Sequence, residues 1–178
     1  MSTLEVNTIN PQSGSTLTLG SSGNTVALGS GVTASGFGGG KIGQVIQGTY
    51  STVVSFTGST YSDTGLSASI TPSDTSSKIL CTGFIPCQVT GTGESDGALR
   101  FLRDSTTLYD PFVQNLAFYV QSSNHDFRWY VPFTYYDSPS TTSSVSYKFQ
   151  GRTNAAGSTF RTCFQSKPAY LILQEVLA

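Results

Sequence analysis

The chain has 178 residues, 11% of them charged and 37% apolar, where an ordinary globular domain carries about 25% charged residues. Its net charge is −1 and it has no basic block, which argues against a nucleic-acid partner; no apolar run approaches the ~18–20 residues of a membrane span, so no membrane insertion is expected. Aromatics make up 12% and concentrate after residue 100, so a packed core is expected in the C-terminal part and not in the N-terminal part.

Met1-Ser2-Thr3-Leu4-Glu5 lacks the basic and apolar regions of a signal peptide, and the chain is expected to stay in the cytoplasm where it is made. The three cysteines, Cys81, Cys87 and Cys163, are odd in number and lack framework spacing, so free thiols are expected. Residues 1–12 read as a short strand. Leu4, Val6 and Thr8 alternate with Glu5, Asn7 and Ile9, and the run ends at Pro11. This strand is the expected anchor to another protein.

Residues 13–40 are repetitive. Ser13-Gly14-Ser15-Thr16-Leu17-Thr18-Leu19-Gly20-Ser21 is followed by Ser22-Gly23-Asn24-Thr25-Val26-Ala27-Leu28-Gly29-Ser30, and a degraded unit begins at Gly31. In each unit two apolar residues sit two apart: Leu17 with Leu19, and Val26 with Leu28. Both side chains of a pair leave one face of a short strand. Two or three such strands are marginal alone in water. The economical partner is the same segment in sister chains, so a homotrimeric stalk is expected, with Leu17, Leu19, Val26 and Leu28 facing a shared axis. A disordered low-complexity tail is the plain rival. A calcium-binding β-roll needs an Asp in each repeat, and none precedes Asp63. Gly36-Phe37-Gly38-Gly39-Gly40 reads as a flexible joint.

From residue 41 to 178, short alternating runs recur between turn clusters. Leu66, Ala68 and Ile70 share a face, and Thr71-Pro72-Ser73-Asp74 ends that run. Ile79, Cys81, Gly83, Ile85, Cys87 and Val89 share one face of a long strand. Leu99 and Phe101 lead to a turn at Asp104-Ser105-Thr106. Gln114 to Val120 suits a helical turn or a strand. Phe127, Trp129, Val131, Phe133 and Tyr135 form a face expected in the core, with Arg128, Tyr130, Thr134 and Tyr136 on the other. Val145, Tyr147 and Phe149 alternate with polar residues. About eight to ten such strands predict an antiparallel β-sandwich, jelly-roll-like. The fold class is therefore all-β, a repetitive stalk followed by a sandwich head. The last run, Tyr170 to Leu177, is apolar on both faces. Such a strand lies centrally in a sheet or at a subunit interface. Leu171, Leu173 and Leu177 are expected at the trimer interface.

Catalytic patterns are weak. Gly93-Glu94-Ser95-Asp96-Gly97 matches G-x-S-x-G, and Asp104 or Asp110 followed by His125 matches the hydrolase order. A nucleophile elbow needs a helix after the turn, and Ala98 to Leu102 alternates like a strand. His125, the one histidine, lies in a polar loop, and no zinc spacing exists. Cys81 and Cys87 sit on one strand roughly 20 Å apart. The carboxylate pairs Glu94 with Asp96 and Asp126 with Asp137 could face a sugar only if loops converge. No catalytic residue, metal or cofactor is expected, and the chain is not expected to be an enzyme. Phe118-Tyr119 and the aromatic run 127–136 are of a type that stacks sugars. Candidate ligand-binding residues are His125, Arg128, Tyr130, Tyr136 and Asp137, on or near loops 91–97, 121–126, 136–143 and 153–158.

Leu4-Glu5-Val6-Asn7-Thr8-Ile9 and the Ser-Gly-x-Thr-x-x-Leu-Gly repeats resemble the N-termini of tail-fibre-like virion proteins of phages, of the marine and cyanobacterial type. Ser69-Ile70-Thr71-Pro72-Ser73-Asp74-Thr75-Ser76-Ser77-Lys78-Ile79-Leu80, Phe101-Leu102-Arg103-Asp104, Tyr136-Asp137-Ser138-Pro139 and Leu171-Ile172-Leu173-Gln174-Glu175 resemble their head domains. The resemblance covers nearly the whole chain and brings no catalytic motif. It implies a trimeric knob on a stalk, assembled in the host cytoplasm and mounted on a virion through its N-terminus. A host surface glycan or protein is the implied partner. Capsid decoration is the alternative, and polysaccharide depolymerisation a less favoured third.

Overall fold

Alternation of apolar residues with Ser and Thr dictates strands, and the described part of the chain is almost wholly strand. The structure, a computed structural model, describes residues 42–110, 118–121 and 123–177. The expected anchor (1–12) and stalk (13–40), with Leu17, Leu19, Val26 and Leu28, lie outside the described residues. Among the described residues eleven strands occur: β1 Ile42–Tyr50, β2 Val54–Phe56, β3 Ser62–Ile70, β4 Lys78–Gly91, β5 Glu94–Arg103, β6 Thr106–Tyr109, β7 Phe118–Gln121, β8 His125–Asp137, β9 Val145–Arg152, β10 Thr159–Thr162 and β11 Ala169–Val176. A single 3-10 turn, Phe164–Ser166, is the helical exception.

All strand pairs are antiparallel. In the first sheet the 14-residue β4 is the spine. One of its edges pairs with β8 from Ile79 to Gly91. The other edge is shared, β11 taking Lys78 to Phe84 and β10 taking Cys87 to Thr90. β1 pairs with the far side of β11, and β2 with β10. In the second sheet β3, β9 and β5 lie in that order, and the far edge of β5 is shared by β6 and β7.

The two sheets pack face to face because each strand offers one apolar face. Ile79, Cys81, Ile85, Cys87 and Val89, the predicted inner face of β4, are all buried. They meet Leu66, Ala68 and Ile70 of β3 and Val145, Tyr147 and Phe149 of β9 in one core. Phe101 is at its centre, with ring centroids 4.4 Å from Phe133, 4.8 Å from Phe149 and 5.7 Å from Tyr147. Cys81, Cys87 and Cys163 are buried free thiols, and burial pushes the Cys81 and Cys87 thiols well up from their ordinary value.

Two predicted faces need correction. Leu171 and Leu173, expected at a subunit interface, have 0% exposure in the single chain. β11 lies between β1 and β4, so the sandwich core itself covers them. The outer face of β11 is instead Tyr170, Ile172, Gln174 and Val176, all half-buried. Leu177 is also half-buried, over Gly43, where a Cβ would come within 2.8 Å of it. The second correction concerns β8. It is an edge strand, and Trp129, Val131, Phe133 and Tyr135 are only partly buried against the core. Phe127 is 52% exposed. The second sheet covers β8 near Tyr135, whose hydroxyl donates to the Leu108 carbonyl at 3.3 Å, and β6 is only four residues long.

The β3–β4 turn covers residues 71–77. Asp74 Oδ1 accepts from the Ser76 backbone N–H at 2.8 Å and its hydroxyl at 2.6 Å, which closes the turn. The turn is tied to the last strand through Glu175. That carboxylate accepts from the Ser73 N–H at 2.6 Å, the Ser73 hydroxyl at 2.7 Å and Gln44 Nε2 at 2.8 Å. Two stretches at opposite ends of the head sequence are thus one hydrogen-bonded unit.

Candidate functional site: a polar cleft at one end of the sandwich

The long β4–β8 ladder fixes which loops can meet. His125 pairs with Gly91 at one end, and Asp137 pairs with Ile79 at the other. Twelve residue steps of strand separate His125 from Asp137, about 40 Å. The five predicted ligand residues therefore do not form one site. Residues 91–97, 123–126 and 153–158 gather at the His125 end; loop 136–143 is at the far end.

Asp137 is not a surface ligand residue. It is 6% exposed, and its Oδ2 accepts from Arg103 Nη1 at 2.6 Å and from the Tyr147 hydroxyl at 2.6 Å. It leaves the end of β8 and clamps the first sheet to β5 and β9 of the second. Burial, then the Asp137 bond, pushes the Tyr147 phenol well above its ordinary value. Tyr136 is 56% exposed on the outer face, opposite Leu80. Arg128 and Tyr130 also face outward. Arg128 donates to both carboxylate oxygens of Asp126, at 3.0 and 2.6 Å, and Gln88 Nε2 donates to the same Asp126 at 2.7 Å. The Arg128 bond, followed by that of Gln88, holds the Asp126 carboxyl below its usual range. The Arg128 guanidinium lies 5.8 Å from the Phe164 ring centre, and Tyr130 makes an edge contact with Phe84 at 5.8 Å. His125 is half-buried beside Gly91.

At the gathered end a small cleft of about 120 Å³ is lined by Glu94, Asp96, Tyr119, Asn154 and Ala155. β5 supplies the two carboxylates because Glu94 and Asp96, two apart, share a face. β7 supplies Tyr119, which stands directly opposite Asp96. Asp96 is 1% exposed, and one oxygen accepts three hydrogen bonds: from Thr153 Oγ1 at 2.6 Å, Asn154 N at 2.8 Å and Ala155 N at 3.0 Å. The Ser158 hydroxyl also donates to the Asp96 carbonyl at 3.4 Å. Loop 153–158 is thereby stapled to β5. The Tyr119 hydroxyl donates to Glu94 at 2.8 Å, and that bond raises the phenol above its ordinary value. Glu94 and Asp96 line the cleft together, but they share one face of β5 and Asp96 is buried against loop 153–158, so they do not face each other across a ligand; Asp126 and Asp137 stand at opposite ends of β8. Asp96 as a loop staple and Asn154 as a cleft residue carry no signal in the sequence, because both depend on a contact between distant strands.

The G-x-S-x-G segment forms no elbow. β5 starts at Glu94, Ser95 is fully buried inside the strand, and strand continues to Arg103. Among the described residues no group of three or more His, Cys, Asp or Glu side chains is placed to hold a metal ion, and no helix is long and apolar enough to cross a membrane. What the cleft offers is hydrogen-bond acceptors of negative sign, an amide and an aromatic ring. That set suits a neutral ligand rich in hydroxyls and disfavours an anion.

No protein-family model matches this chain, and no curated protein is significantly similar to it. A solved structure of infectious bursal disease virus, Gt strain, is similar over 87% of this chain at 16% identity and a TM-score of 0.39. A crystal structure of the T13 viral particle of that virus is similar over 87% of the chain at 14% identity and a TM-score of 0.40. The chain spans 42% and 40% of the length of those virus chains. Neither likeness is close enough to carry a fold or a function to this protein.

Proposed function

We propose that the chain is a structural protein of a phage virion, a homotrimeric spike that attaches to its host by binding a neutral surface glycan in the cleft at the β5–β7 end of the head. Residues 1–12 mount it on other virion proteins, and residues 13–40 join the three copies. The observation that carries the binding reading is the buried Asp96 carboxylate. It fixes loop 153–158 against β5, so Glu94, Tyr119 and Asn154 present a preformed polar surface with little ordering left for the ligand to impose. Three copies turn weak single contacts into firm attachment. The phage resemblance of the N-terminal repeats and of the Ser69–Leu80 and Leu171–Glu175 stretches supports the virion setting.

The test is adsorption of particles carrying Glu94→Ala with Asn154→Ala to host cells, alongside binding of the purified full chain to host polysaccharide. Loss of both hydrogen-bonding groups is expected to weaken single-site binding about tenfold or more. Undiminished adsorption would remove the cleft from attachment. Labelled protein found on the capsid lattice instead of the tail would turn the reading to capsid decoration, and release of reducing sugar from the polysaccharide would turn it to a depolymerase.

A further inference from the structure

The two outer faces of the sandwich differ in charge. On the second sheet Asp63, Gln150 and Arg100 form one transverse row across β3, β9 and β5. Their polar groups are bonded within the chain: Lys148 Nζ lies 3.0 Å from Asp63, and Arg100 donates to the Gln150 amide oxygen at 2.9 and 2.6 Å. The first sheet confines its charged row to one end, where Arg161, Gln88 and Arg128 are in register across β10, β4 and β8. Val45, Gln174, Leu80 and Tyr136 are in register across β1, β11, β4 and β8. The next outward row is Gln47, Ile172, Thr82 and Thr134, and the third is Thr49, Tyr170, Phe84 and Pro132. Every one of these positions is exposed or half-exposed, and none carries a charge. Beyond the rows stand Lys78 on one side and Arg161 with the Asp126–Arg128 pair on the other. A neutral, aromatic-bearing centre inside a charged border is the anatomy of an interface.

We infer that this outer face of the first sheet is covered by the head of a second copy of the chain. The inference rests on the homotrimer reading and adds to it the surface by which the heads touch. Charge argues for a copy over a foreign partner. Around a three-fold axis the same face of each copy turns toward the axis, where identical charges would repel and uncharged groups do not, and a foreign partner is ordinarily steered by charge complementarity. Area argues the same way. Four strands at ~4.8 Å spacing and about seven residues along them make a patch of roughly 500 Å² with its side chains. A free-standing interface needs about 800 Å² per partner. The face is thus too small to pair untethered molecules and large enough for heads already joined through residues 13–40.

The experiment uses the full chain with Gln47→Arg and Thr134→Arg, both exposed positions at the two ends of the middle row, and Ser69→Arg on the outer face of the second sheet as control. Light scattering gives the mass, and small-angle scattering the radius of gyration. Circular dichroism checks that each variant is folded. The expected result is a three-copy mass for all chains and a larger radius of gyration for the double variant alone, as charged heads splay apart. A three-copy mass with an unchanged radius overturns this inference and leaves the trimer reading standing. A one-copy mass for the unaltered chain overturns both. An unchanged radius with loss of host-cell binding assigns the face to a foreign partner and also overturns the inference.

Discussion

Glu175, Asp96 and Asp137 are carboxylates almost wholly removed from water, and each keeps its place through hydrogen bonds from a different part of the chain. Burial pushes the Glu175 carboxyl up, but bonds from Ser73 and Gln44 outweigh it and hold the group at about 2, against an ordinary 4.5. A folded value below the unfolded one means that the charge contributes stability above pH 4.5 and loses it as pH falls toward 2. Glu175→Gln is therefore expected to cost about 1–3 kcal/mol at neutral pH, and urea unfolding across the pH range should show the deficit closing between those two values. Asp137 holds the sheets together, and Asp137→Ala leaves Arg103 and Tyr147 without their shared acceptor. A loss of about 2–4 kcal/mol is expected in the same unfolding assay. Asp96→Ala acts locally. Amide hydrogen exchange should quicken at Asn154 and Ala155, while the β4–β8 ladder keeps its protection.

At the level of the strand, alternation identified β3, β4, β5, β9 and β11 and named the inner residues of β3, β4 and β9. It misplaced the outlook of β11 because a period of two gives a strand's faces and not its position in a sheet. With β1 on one side and β4 on the other, Leu171 and Leu173 need no foreign cover. β8 failed in the opposite sense: its odd residues have the pattern of a core face, but an edge position leaves Phe127 in solvent. β2 and β10, three and four residues long, are too short to declare themselves by period. The bulge in β3 between Asp63 and Ser67 was equally silent. Its Gly65 has φ +84°, and an added Cβ would come within 2.2 Å of the Tyr50 ring. Gly65→Ala combines a disfavoured backbone with a clash and is expected to lose about 2–3 kcal/mol, read as a lower thermal midpoint.

At the level of the molecule, the core of the described residues draws only on positions from Ile46 to Leu173. A fragment starting at residue 41 is therefore expected to fold and to unfold in one cooperative transition; a fragment without near-UV circular dichroism would show the boundary at residue 40 to be misplaced. The fold class was legible because polar–apolar alternation is a local signal. The site was not, because ligand residues were grouped by nearness in sequence and exposure, and the β4–β8 ladder then carried His125 and Asp137 to opposite ends of the head. That same ladder economy has a consequence for biogenesis. Among the described residues β1 pairs only with β11, and β11 also completes the edge of β4. On the ribosome, the first strand of the head must wait as an unpaired edge until Ala169–Val176 emerges. The first sheet then closes late, around the final strand, and nascent heads from neighbouring ribosomes have that interval in which to exchange strands.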